Sequence, residues 1–472
     1  MVEAKVYFGS TPVKKEKVVE RRSPFNDKVV STAPVCSAED AIKALEIAKE
    51  AFEKYKFIPL ARRIAWLRDV AKKLEEQKEE FALQITREVG KPIAFSRVEV
   101  DRAIETITLA ADYAPYLNGE TINTDATPSG RRTMAYYKRV PLGVVVAITP
   151  FNFPLNLSAH KLAPALVAGN AVVYKPTPEA PGVGYMLAKL FIESEHAVPD
   201  MLSVVYGDAE VGGALVASEI PRKISFTGSV PVGKIIMKNA GIKKVSLELG
   251  GNAATFIDKS ADIAQAASRC AVGAFVNSGQ VCISLQRIYV HEDIYEEFGQ
   301  ALVEDTKKLK VGDPYEPDTF MGPLIDEEAA KRAERWVKSA IEAGARPLLE
   351  PKRDGRYFYP AILADVTDDM EIVCEEVFAP IVSLVKVKSY DEAIKKMNDS
   401  PYGLQFSIFT RDIELIKRFV DEAEAGGVVV NDIPTLRFDI QPYGGVKYSG
   451  IGREGPKFAL EEYTEIKSVV IV

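Results

Sequence analysis

The sequence predicts an α/β protein built from two doubly wound sheets. Short apolar runs alternate with amphipathic helical segments in two series. The first series follows Pro141 and reads GVVVAI, NAVVYK, LSVVYG, KISFTG and KVSLELGG; the second begins near residue 253 and reads TFID, RIYVH, PLLE, IVSLVKV, QFSIFT and GVVVN. Continuous Val/Ile-rich runs are typical of parallel strands buried on both faces. A chain of 472 residues exceeds the size at which one hydrophobic core stops growing, so at least two packed units are expected.

The segments before the first series repeat their apolar residues with other periods. Residues 37 to about 117 repeat apolar side chains every three or four positions, as in AIKALEIAKEAFEKY, which predicts surface helices. Residues 133–140 (TMAYYKRV) change to a period of two with one polar face, which predicts an exposed β ribbon. Further along, Ser389 and Glu392 have the spacing of a helix capping box.

Composition excludes several classes of function. The net charge is -7, and the 60 basic and 67 acidic residues are interspersed, so no basic stripe predicts a nucleic-acid partner. No signal-peptide pattern and no run of 18 apolar residues occur, so we expect a cytoplasmic protein without membrane association. The three histidines are far apart and outside any HExxH motif, and the cysteines form no CxxC pair, so we expect reduced thiols and no metal site. The cysteines are Cys36, Cys270, Cys282 and Cys374.

Four short motifs contain residues with chemical potential: TPFNFP at 149–154, YKPTPEAP at 174–181, SLELGG at 246–251 and NSGQVCIS at 277–284. Cys282 follows a Gly-Gln-Val turn, where a thiol is accessible; the alternative is a small core side chain. Glu248 ends an apolar strand before two glycines, where the loops of an α/β sheet meet ligands. Its alternative role is that of a solvated edge carboxylate.

A phosphate-binding candidate lies in FTGSVPVGKII. Here a strand ends at Thr227 and a helix begins near Pro231. Between them, Gly228 and Ser229 leave the backbone N–H groups accessible to a ligand. Helix N-termini present unsatisfied N–H groups to anions, although this GSxxxG pattern departs from the usual GxGxxG. Lys175 follows another buried strand and could reach a nucleotide ribose at the carboxyl edge of the sheet; alternatively it is a solvated lysine.

In this order and spacing the four motifs resemble the aldehyde dehydrogenase superfamily, and the similarity extends over essentially the whole chain. Further similarity comes from EEVFAP at 375–380, with Ala379 where the family has glycine, and from YGGVKYSGIGREG at 443–455. The resemblance implies a Rossmann-like cofactor domain (1–120 and 142–247), a second α/β catalytic domain (248–450) and a small β oligomerisation extension (121–141 and 456–472). The ribbon and the C-terminal strand, residues 466–472, would join subunits into a homodimer or homotetramer, because unpaired exposed strands invite aggregation.

The resemblance also assigns the chemistry, which is NAD(P)-dependent oxidation of an aldehyde to a carboxylate. Cys282 matches the nucleophile that carries a thioester, and Asn152 matches the amide that stabilises the oxyanion. Glu248 matches the base that activates water for hydrolysis. The alternatives are a coenzyme-A-acylating enzyme, which generally lacks an acid at the position of Glu248, and a non-catalytic structural or ligand-binding member.

For the cofactor, the resemblance places Glu376 and Phe378 at the nicotinamide end and Lys175 at the adenosine ribose. NAD-preferring members carry an acidic residue three positions after that lysine, where this chain has Pro178, with Glu179 one place later. This predicts that NADP is accepted at least as well as NAD, unless Glu179 reaches the ribose. The other expected cofactor-binding residues are Ile148, Thr149, Pro150, Phe151, Gly207, Phe226, Thr227, Gly228, Ser229, Gly233, Leu249 and Gly250.

Six residues are expected by family position to line the aldehyde tunnel: Phe153, Leu157, His160, Val281, Ile283 and Arg437. His160 and Arg437 are hydrogen-bond donors, which favours a small hydroxylated or anionic aldehyde of the lactaldehyde, glyceraldehyde or short semialdehyde type. The C-terminal motif is likewise similar to those of lactaldehyde and non-phosphorylating glyceraldehyde-3-phosphate dehydrogenases, and the chain also resembles succinic semialdehyde dehydrogenases. Val281 stands where enzymes for the phosphorylated substrate tend to carry arginine. Alternatively Arg437 pairs with Asp439 or Asp432, and His160 caps its own helix.

Overall fold

A computed structural model describes residues 1–472 and contains two large sheets. The first sheet has eight strands, in the spatial order Gly450–Ile451, Lys244–Glu248, Lys223–Thr227, Val144–Ile148, Ala171–Lys175, Leu202–Val204, Val6–Phe8 and Thr11–Val13. Its five central strands are those of the first apolar series, and they pair in parallel. The outer strands add antiparallel edges. The order of the central strands confirms a doubly wound sheet.

The second sheet has seven strands, in the order Arg346–Leu349, Ala361–Ala364, Ile381–Val387, Leu285–His291, Ala253–Ile257, Gln405–Phe409 and Gly427–Val430. All pairs are parallel except the first, which is antiparallel. The second apolar series therefore predicted six of these strands. The strand Ala361–Ala364 was not predicted from the sequence, because two of its four residues, AILA, are alanines, which are depleted in strands.

Helices cover both sheets. Four amphipathic helices precede the first sheet's central strands, at Ala38–Tyr55, Leu60–Glu76, Lys78–Val89 and Ile93–Tyr113; Asn156–Val167, Pro181–Ile192, Ala209–Ala217 and Val230–Asn239 connect those strands. The second half of the chain adds Ile263–Phe275, Tyr295–Thr306, Glu327–Glu342, Glu371–Cys374, Tyr390–Asn398, Ile413–Glu422 and Pro456–Glu462, and short 3-10 turns occur at Ala114–Tyr116, Val276–Gly279 and Glu292–Ile294. The helix Asn156–Val167 is buried along its whole length. None of the helices is both long enough and apolar enough to cross a membrane.

The smaller β elements include the predicted ribbon. Met134–Pro141 pairs antiparallel with Thr464–Ile471 over eight positions, and Thr121–Asn123 lies on its other edge. The ribbon prediction is thus confirmed as one strand of a three-stranded extension. The remaining small sheets join Val2–Glu3, Val29–Pro34 and Val18–Arg22; Arg353–Asp354 and Tyr357–Phe358; and Tyr402–Gly403 and Val446–Lys447.

The predicted capping box at Ser389 forms only in part. The Ser389 side chain accepts the backbone N–H of Glu392, as expected. The carboxylate of Glu392, however, accepts the N–H of Lys388 at 2.9 Å, one residue before the cap. A complete box occurs instead at Ser37 and Asp40, where the helix Ala38–Tyr55 begins.

The two sheets have separate hydrophobic cores. One cluster of 70 buried residues joins the first sheet to the N-terminal helices. Clusters of 20, 15 and 12 buried residues surround the second sheet. Because the central strands of the first sheet are parallel, their carboxyl ends meet at one edge, and the motifs at 149–154, 174–181 and 246–251 and the turn at Gly228 all follow such ends.

Candidate active site

A cleft of about 460 Å³ lies along this edge of the first sheet. The three predicted catalytic residues, Asn152, Glu248 and Cys282, all line it. So do fifteen of the predicted cofactor-binding residues: Ile148, Thr149, Pro150, Phe151, Lys175, Pro178, Glu179, Phe226, Thr227, Gly228, Ser229, Leu249, Gly250, Glu376 and Phe378. The structure therefore brings nucleophile, amide and carboxylate candidates to one wall of a nucleotide-sized cleft.

A smaller cavity of about 170 Å³ opens on the other side of Cys282. Cys282 and Leu157 line both spaces, so the thiol stands between them. Phe153, Val281, Ile283 and Arg437 also line this cavity, as predicted, together with Lys91, Phe95, Val98, Glu99, Arg102, Asn156, Val276, Asn277, Thr435 and Tyr443. The cleft suits a dinucleotide and the cavity a small molecule, with the sulfur at their junction.

The loop that carries Cys282 is held in an unusual conformation. The helix Ile263–Phe275 ends in the turn Val276–Gly279, in which Asn277 and Ser278 have φ of 51° and 56°. Side chains with positive φ are strained, so surrounding contacts must hold them. The Ser278 hydroxyl donates to the Gly322 carbonyl at 2.8 Å, and the Ile325 N–H donates to the Gln280 side chain at 3.0 Å. These bonds fix the loop to the segment before the helix Glu327–Glu342.

Two contacts define the surroundings of the thiol itself. The Sγ of Cys282 lies 3.0 Å from the phenol oxygen of Tyr443. Burial raises the pKa of the Cys282 thiol to about 11, and the hydrogen bond to Tyr443 opposes that rise. Behind the cysteine, a Cβ on Gly251 would lie 2.2 Å from the Cys282 carbonyl oxygen. Only glycine therefore fits at position 251, because backbone meets backbone there.

Asn152 has its amide oriented by its own loop. The Asn152 Oδ1 accepts the N–H of Phe153 at 3.1 Å, which leaves the Nδ2 group free to donate. The loop is anchored by Glu99, whose Oε1 accepts the N–H groups of Leu155 and Asn156 at 2.9 and 3.2 Å. Glu99 is fully buried in a salt bridge with Lys91. The amide is thus held on a rigid support, as an oxyanion-stabilising donor must be.

Glu248 is a buried carboxyl group without a partner. Its side chain has two oxygens, both buried and neither hydrogen-bonded to protein. Burial raises the pKa of Glu248 well above its usual range, and the nearby charge of Glu454 raises it further. A carboxyl group desolvated in this way holds its proton more tightly than an exposed one, which makes it a candidate for proton transfer at the site.

Glu376 and Phe378 lie at the same end of the cleft. The backbone N–H of Gly251 donates to the Glu376 carboxylate at 3.0 Å, and burial raises the pKa of Glu376 to about 7. Phe378 has a φ of 49°, and its ring meets that of Phe151 edge to face at 5.9 Å between centroids. The second carboxylate and the two rings thus lie together in the lining of the cleft.

The opposite end of the cleft has features of a nucleotide-phosphate site. Gly228 and Ser229 line it where the helix Val230–Asn239 begins, and Ser229 makes no side-chain cap, so backbone N–H groups are available to an anion. The Thr227 hydroxyl is buried in the cleft without a protein partner. Lys175 is 6 % exposed, and burial lowers the pKa of its ammonium group. These residues fit a dinucleotide with its pyrophosphate at the helix N-terminus.

Below the small cavity, charged side chains converge on Asp439. Arg102 donates to both of its oxygens at 2.7 and 2.8 Å, and the imidazole of His160 lies 2.9 Å from Oδ1. Arg437 lies above them with its guanidinium 3.6 Å from the Tyr443 ring centre. Two guanidinium groups, those of Arg102 and Arg437, therefore line the small cavity, and only the first is paired with a carboxylate at hydrogen-bond distance.

A profile of the aldehyde dehydrogenase family matches residues 11–469. The chain belongs to the aldehyde dehydrogenase family. It is 44% identical to a 3-sulfolactaldehyde dehydrogenase of Priestia aryabhattai over 96% of this chain and 94% of the relative. It is 42% identical to a lactaldehyde dehydrogenase of Methanocaldococcus jannaschii over 95% and 96% of the two chains.

Solved structures agree with this assignment. A glyceraldehyde-3-phosphate dehydrogenase of Methanocaldococcus jannaschii complexed with NADP superposes with a TM-score of 0.93 at 41% identity, covering 97% of this chain and 100% of that one. The lactaldehyde dehydrogenase of Escherichia coli gives 0.95 at 32% identity, covering 100% and 99%. The Rossmann-like and catalytic α/β architecture is therefore confirmed, and the protein is an NAD(P)-dependent aldehyde dehydrogenase.

Three predicted site residues of this aldehyde dehydrogenase do not line the two spaces. A Cβ on Gly207 would lie 2.4 Å from Val211, and one on Gly233 would lie 2.8 Å from Leu249, so both glycines make room for the walls behind the cleft. His160 lies beneath the tunnel with a side chain that is fully buried. It does not cap its own helix, because its Nε2 faces Asp439, a residue on a distant loop.

Several residues that line the two spaces were not predicted from the sequence. Thr177, Val232 and Arg332 complete the cleft. Lys91, Arg102 and Tyr443 bring two cations and a phenol to the small cavity. Tyr443 lies within the glycine-rich C-terminal motif at 443–455, which is a signal that could have identified it. Arg102 lies in the helix Ile93–Tyr113, and Lys91 lies in the turn before that helix. The sequence alone does not determine where this helix and turn are placed.

Proposed function

We propose that this aldehyde dehydrogenase oxidises a small aldehyde carrying an anionic group, and that Arg437 binds the anion. The observation that carries the proposal is that no carboxylate lies within hydrogen-bond distance of the Arg437 guanidinium. Its side chain is 8% exposed, it lines the small cavity, and its nearest carboxylates, Asp439 and Glu454, both lie 3.8 Å away. The Nε of Arg437 is buried without a hydrogen bond. A buried guanidinium with spare donors is suited to an anionic ligand.

The neighbouring groups support this interpretation because they are already satisfied. Asp439 is bound by both Arg102 donors and by His160. Burial lowers the pKa of His160, so its ring is neutral and has one N–H. That N–H faces Asp439, so the same nitrogen has no lone pair to accept the Arg437 donor 3.2 Å away. Asp432, the other partner considered for Arg437, pairs with Arg269 at 2.7 Å.

The chemistry follows from the positions of Cys282, Asn152 and Glu248. The Cys282 thiolate attacks the aldehyde carbon, and the developing oxyanion accepts hydrogen bonds from the Asn152 amide and the Cys282 N–H. Glu376 and Phe378 would hold a nicotinamide beside this carbon, and that cofactor would supply the hydride acceptor needed to leave a thioester on Cys282. Glu248 then takes a proton from water, whose oxygen attacks the thioester and releases the carboxylate. A buried carboxyl at this position supports hydrolysis rather than acyl transfer to coenzyme A.

The size of the cavity and the names of the relatives support a small polar substrate. A space of about 170 Å³ suits a three- or four-carbon aldehyde better than a long alkyl chain. The relatives named above act, by their names, on 3-sulfolactaldehyde, lactaldehyde and glyceraldehyde 3-phosphate. Two of these three carry an anionic group on the carbon farthest from the aldehyde, where Arg437 would bind it. Val281, in place of an arginine, leaves one guanidinium fewer for a phosphate.

A substrate panel with arginine variants tests the proposal. Initial rates are measured for 3-sulfolactaldehyde, glyceraldehyde 3-phosphate, succinic semialdehyde, lactaldehyde and hexanal. Hydrogen bonds to charged groups contribute about 1.5–3 kcal/mol, so Arg437→Gln should lower kcat/KM for the preferred anionic aldehyde about 10- to 100-fold. The kcat/KM for lactaldehyde, which carries no anionic group, should fall much less.

The matched control is Arg269→Gln, which removes a guanidinium from the partly exposed pair with Asp432 and should leave the panel unchanged. A wild-type enzyme that turns over lactaldehyde or hexanal faster than every anionic aldehyde contradicts the proposal. So does an Arg437→Gln variant that loses kcat/KM equally for neutral and anionic substrates.

For the cofactor, we propose that NADP is used at least as well as NAD. Pro178 lines the cleft where a carboxylate would oppose a 2'-phosphate, and the Glu179 carboxylate is hydrogen-bonded by Thr177. The positive charge of Lys175 also acts on Glu179. Glu179→Gln should raise kcat/KM for NADP relative to NAD. A wild-type ratio of NADP to NAD well below one refutes the preference.

We also propose that the enzyme works as a homodimer or homotetramer in the cytoplasm, with residues 121–141 and 456–472 as the oligomerisation segments. The strand Thr464–Ile471 exposes Ile466 and Val470, each 60% accessible, which is unusual for apolar side chains unless another subunit covers them. The four free cysteines suit a reducing compartment. A double variant with Ile466→Glu and Val470→Glu should be monomeric in light scattering. An unchanged mass would place the interface elsewhere.

The domain boundaries belong to the same proposal. Residues 1–120 and 142–247 would act as the cofactor domain and residues 248–450 as the catalytic domain. The separate hydrophobic cores of the two sheets support this division. Limited proteolysis with and without NADP tests it, because cofactor binding should protect cleavage sites in the first group of residues more than sites in the second.

A further inference from the structure

We propose that Tyr443 positions and activates Cys282, its hydroxyl serving as a hydrogen-bond donor to the reacting sulfur. The inference rests on the proposed function only in taking Cys282 as the nucleophile, and it holds whichever aldehyde the enzyme prefers. The observation is the 3.0 Å separation between the phenol oxygen of Tyr443, a buried residue that lines the small cavity, and the Sγ of Cys282, a half-buried residue that lines both spaces. Cys282 is the sole hydrogen-bond partner of that hydroxyl within the protein.

The position of the phenol is fixed from several sides. The backbone of Tyr443 exchanges two hydrogen bonds with Glu454, at 3.1 and 2.6 Å. The Arg437 guanidinium covers one face of the ring at 3.6 Å, and Val281, Ile283 and Leu404 pack around it. A side chain held in this way gives a hydrogen bond of fixed direction at little entropic cost. It therefore selects the sulfur position that faces both the cleft and the cavity.

Tyr443 acts as a donor and not as a base. Burial raises the pKa of its phenol well above the usual range, so the O–H keeps its proton at every pH at which the enzyme works. Donation to sulfur favours the thiolate over the thiol, because a charged acceptor forms the stronger bond. The thiol proton leaves to another base or to water, and the phenol retains its own. The hydrogen bond thus offsets part of the burial penalty on Cys282.

The same segment also reaches the carboxyl group that would activate water. A Cβ on Gly444, the residue after Tyr443, would lie 2.9 Å from the Glu248 Oε1. The segment 443–444 therefore contacts the sulfur of Cys282 with the side chain of Tyr443. Its glycine, Gly444, lets the backbone approach the carboxyl group of Glu248. A phenol at position 443 can hold the sulfur without filling the space that Glu248 needs.

The test is the rate at which Cys282 is alkylated by iodoacetamide, without cofactor or aldehyde, from pH 7 to 9.5. A hydrogen bond to a charged group changes an acid constant by about one pH unit or more, so Tyr443→Phe should reduce the thiolate fraction about tenfold at each pH. Each remaining thiolate is more basic and therefore more nucleophilic, so the alkylation rate falls less than the thiolate fraction does. The net expectation is a rate about 3- to 10-fold below wild type at every pH.

Tyr295→Phe is the matched control, because its buried hydroxyl donates to the Leu384 carbonyl in the second sheet's core. It should alkylate at the wild-type rate. An unchanged or faster rate in Tyr443→Phe would overturn the proposal. The assay uses no aldehyde, so a wrong substrate assignment leaves its result intact, whereas full activity in Cys282→Ser would refute the proposed chemistry itself.

A second measurement keeps the proposal testable if Tyr443→Phe does not fold. The near-ultraviolet tyrosine band of wild type is compared with that of Cys282→Ala. Loss of the sulfur acceptor should shift one buried tyrosine's absorption to shorter wavelength. The same difference spectrum measured on Cys270→Ala, a buried cysteine without a tyrosine hydroxyl partner, should be flat. Identical spectra for wild type and Cys282→Ala would overturn the proposal.

Discussion

Replacing Gly251 by alanine should disable the enzyme by moving Cys282, the proposed nucleophile. The added Cβ would lie 2.2 Å from the Cys282 carbonyl oxygen, whereas ordinary van der Waals contact begins at 3.4 Å. Relief requires a displacement of about 1.2 Å between two backbone segments, since no flexible side chain stands at the contact. Misplacing a reacting group by about 1 Å can cost about 100-fold in rate. Overpacking of this kind also destabilises a fold by about 1–3 kcal/mol.

The assay is kcat/KM with the preferred aldehyde and cofactor, together with the rate of Cys282 alkylation. We expect kcat/KM to fall about 100-fold while the variant stays folded. Gly213→Ala is the matched control: it lies in the helix Ala209–Ala217, and a Cβ there would meet nothing within 4 Å. That change should leave activity unaltered and stabilise the helix by about 0.5–1 kcal/mol. Wild-type kcat/KM in Gly251→Ala would refute the reasoning, since the steric conflict would then be absorbed without moving the thiol.

Three further predictions follow from the buried carboxyl groups. Glu248→Gln should form the acyl-enzyme in one rapid burst and then turn over about 10²–10⁴-fold more slowly, as rapid-quench kinetics can measure; steady turnover at the wild-type rate would exclude Glu248 as the base. Because burial raises the pKa of Glu376 to about 7, the carboxylate that would bind the ribose forms as pH rises through 7. The KM for cofactor should accordingly fall over that range, and Glu376→Gln should show no such fall. Burial alone would raise the pKa of Asp439, but the hydrogen bonds of His160 and Arg102 hold it well below its usual range. Asp439 therefore contributes stability above pH 4, roughly the pKa of an unfolded aspartate, and this stability is lost as pH falls below it. Asp439→Asn should lower the free energy of unfolding by about 3 kcal/mol at pH 7, the lower end for a broken buried pair because Arg102 is 25% exposed. The difference from wild type should shrink in acid, and an equal difference at pH 3 and pH 7 would contradict this account.

The sequence was most informative where chemistry is local. A strand of the first sheet is a run of apolar residues, and the residues that follow it must emerge at the carboxyl edge of the sheet. For this reason the positions of Asn152, Lys175 and Glu248 in one cleft follow from the sequence pattern itself. The second apolar series was equally clear, except at Ala361–Ala364, whose short strand depends on pairing with Ile381–Val387.

The substrate end of the site was less predictable because its residues come from distant segments. His160 was expected in the tunnel wall, since it lies eight residues after Asn152 on the following helix. The structure directs its ring to Asp439, 279 residues away, and leaves the cavity to Arg437. Lys91 and Arg102 enter the cavity from the N-terminal helical region, which the sequence suggested only as surface helices. The helix Ile93–Tyr113, which carries Arg102, packs against the helix Asn156–Val167, and Lys91 lies over the Phe153 ring; no sequence period encodes these tertiary contacts.

The two doubly wound sheets, the family and the nucleophile, amide and carboxyl candidates can all be predicted from the sequence without a structure. Those features depend on hydrophobic period and on motifs within single segments. Only the tertiary structure decided which charges are satisfied and which remain free. Asp439 binds Arg102 and His160, so Arg437 keeps spare donors, and the phenol of Tyr443 meets the sulfur of Cys282. The physical reason is that hydrogen-bond satisfaction depends on distances of a few ångströms between residues far apart in sequence.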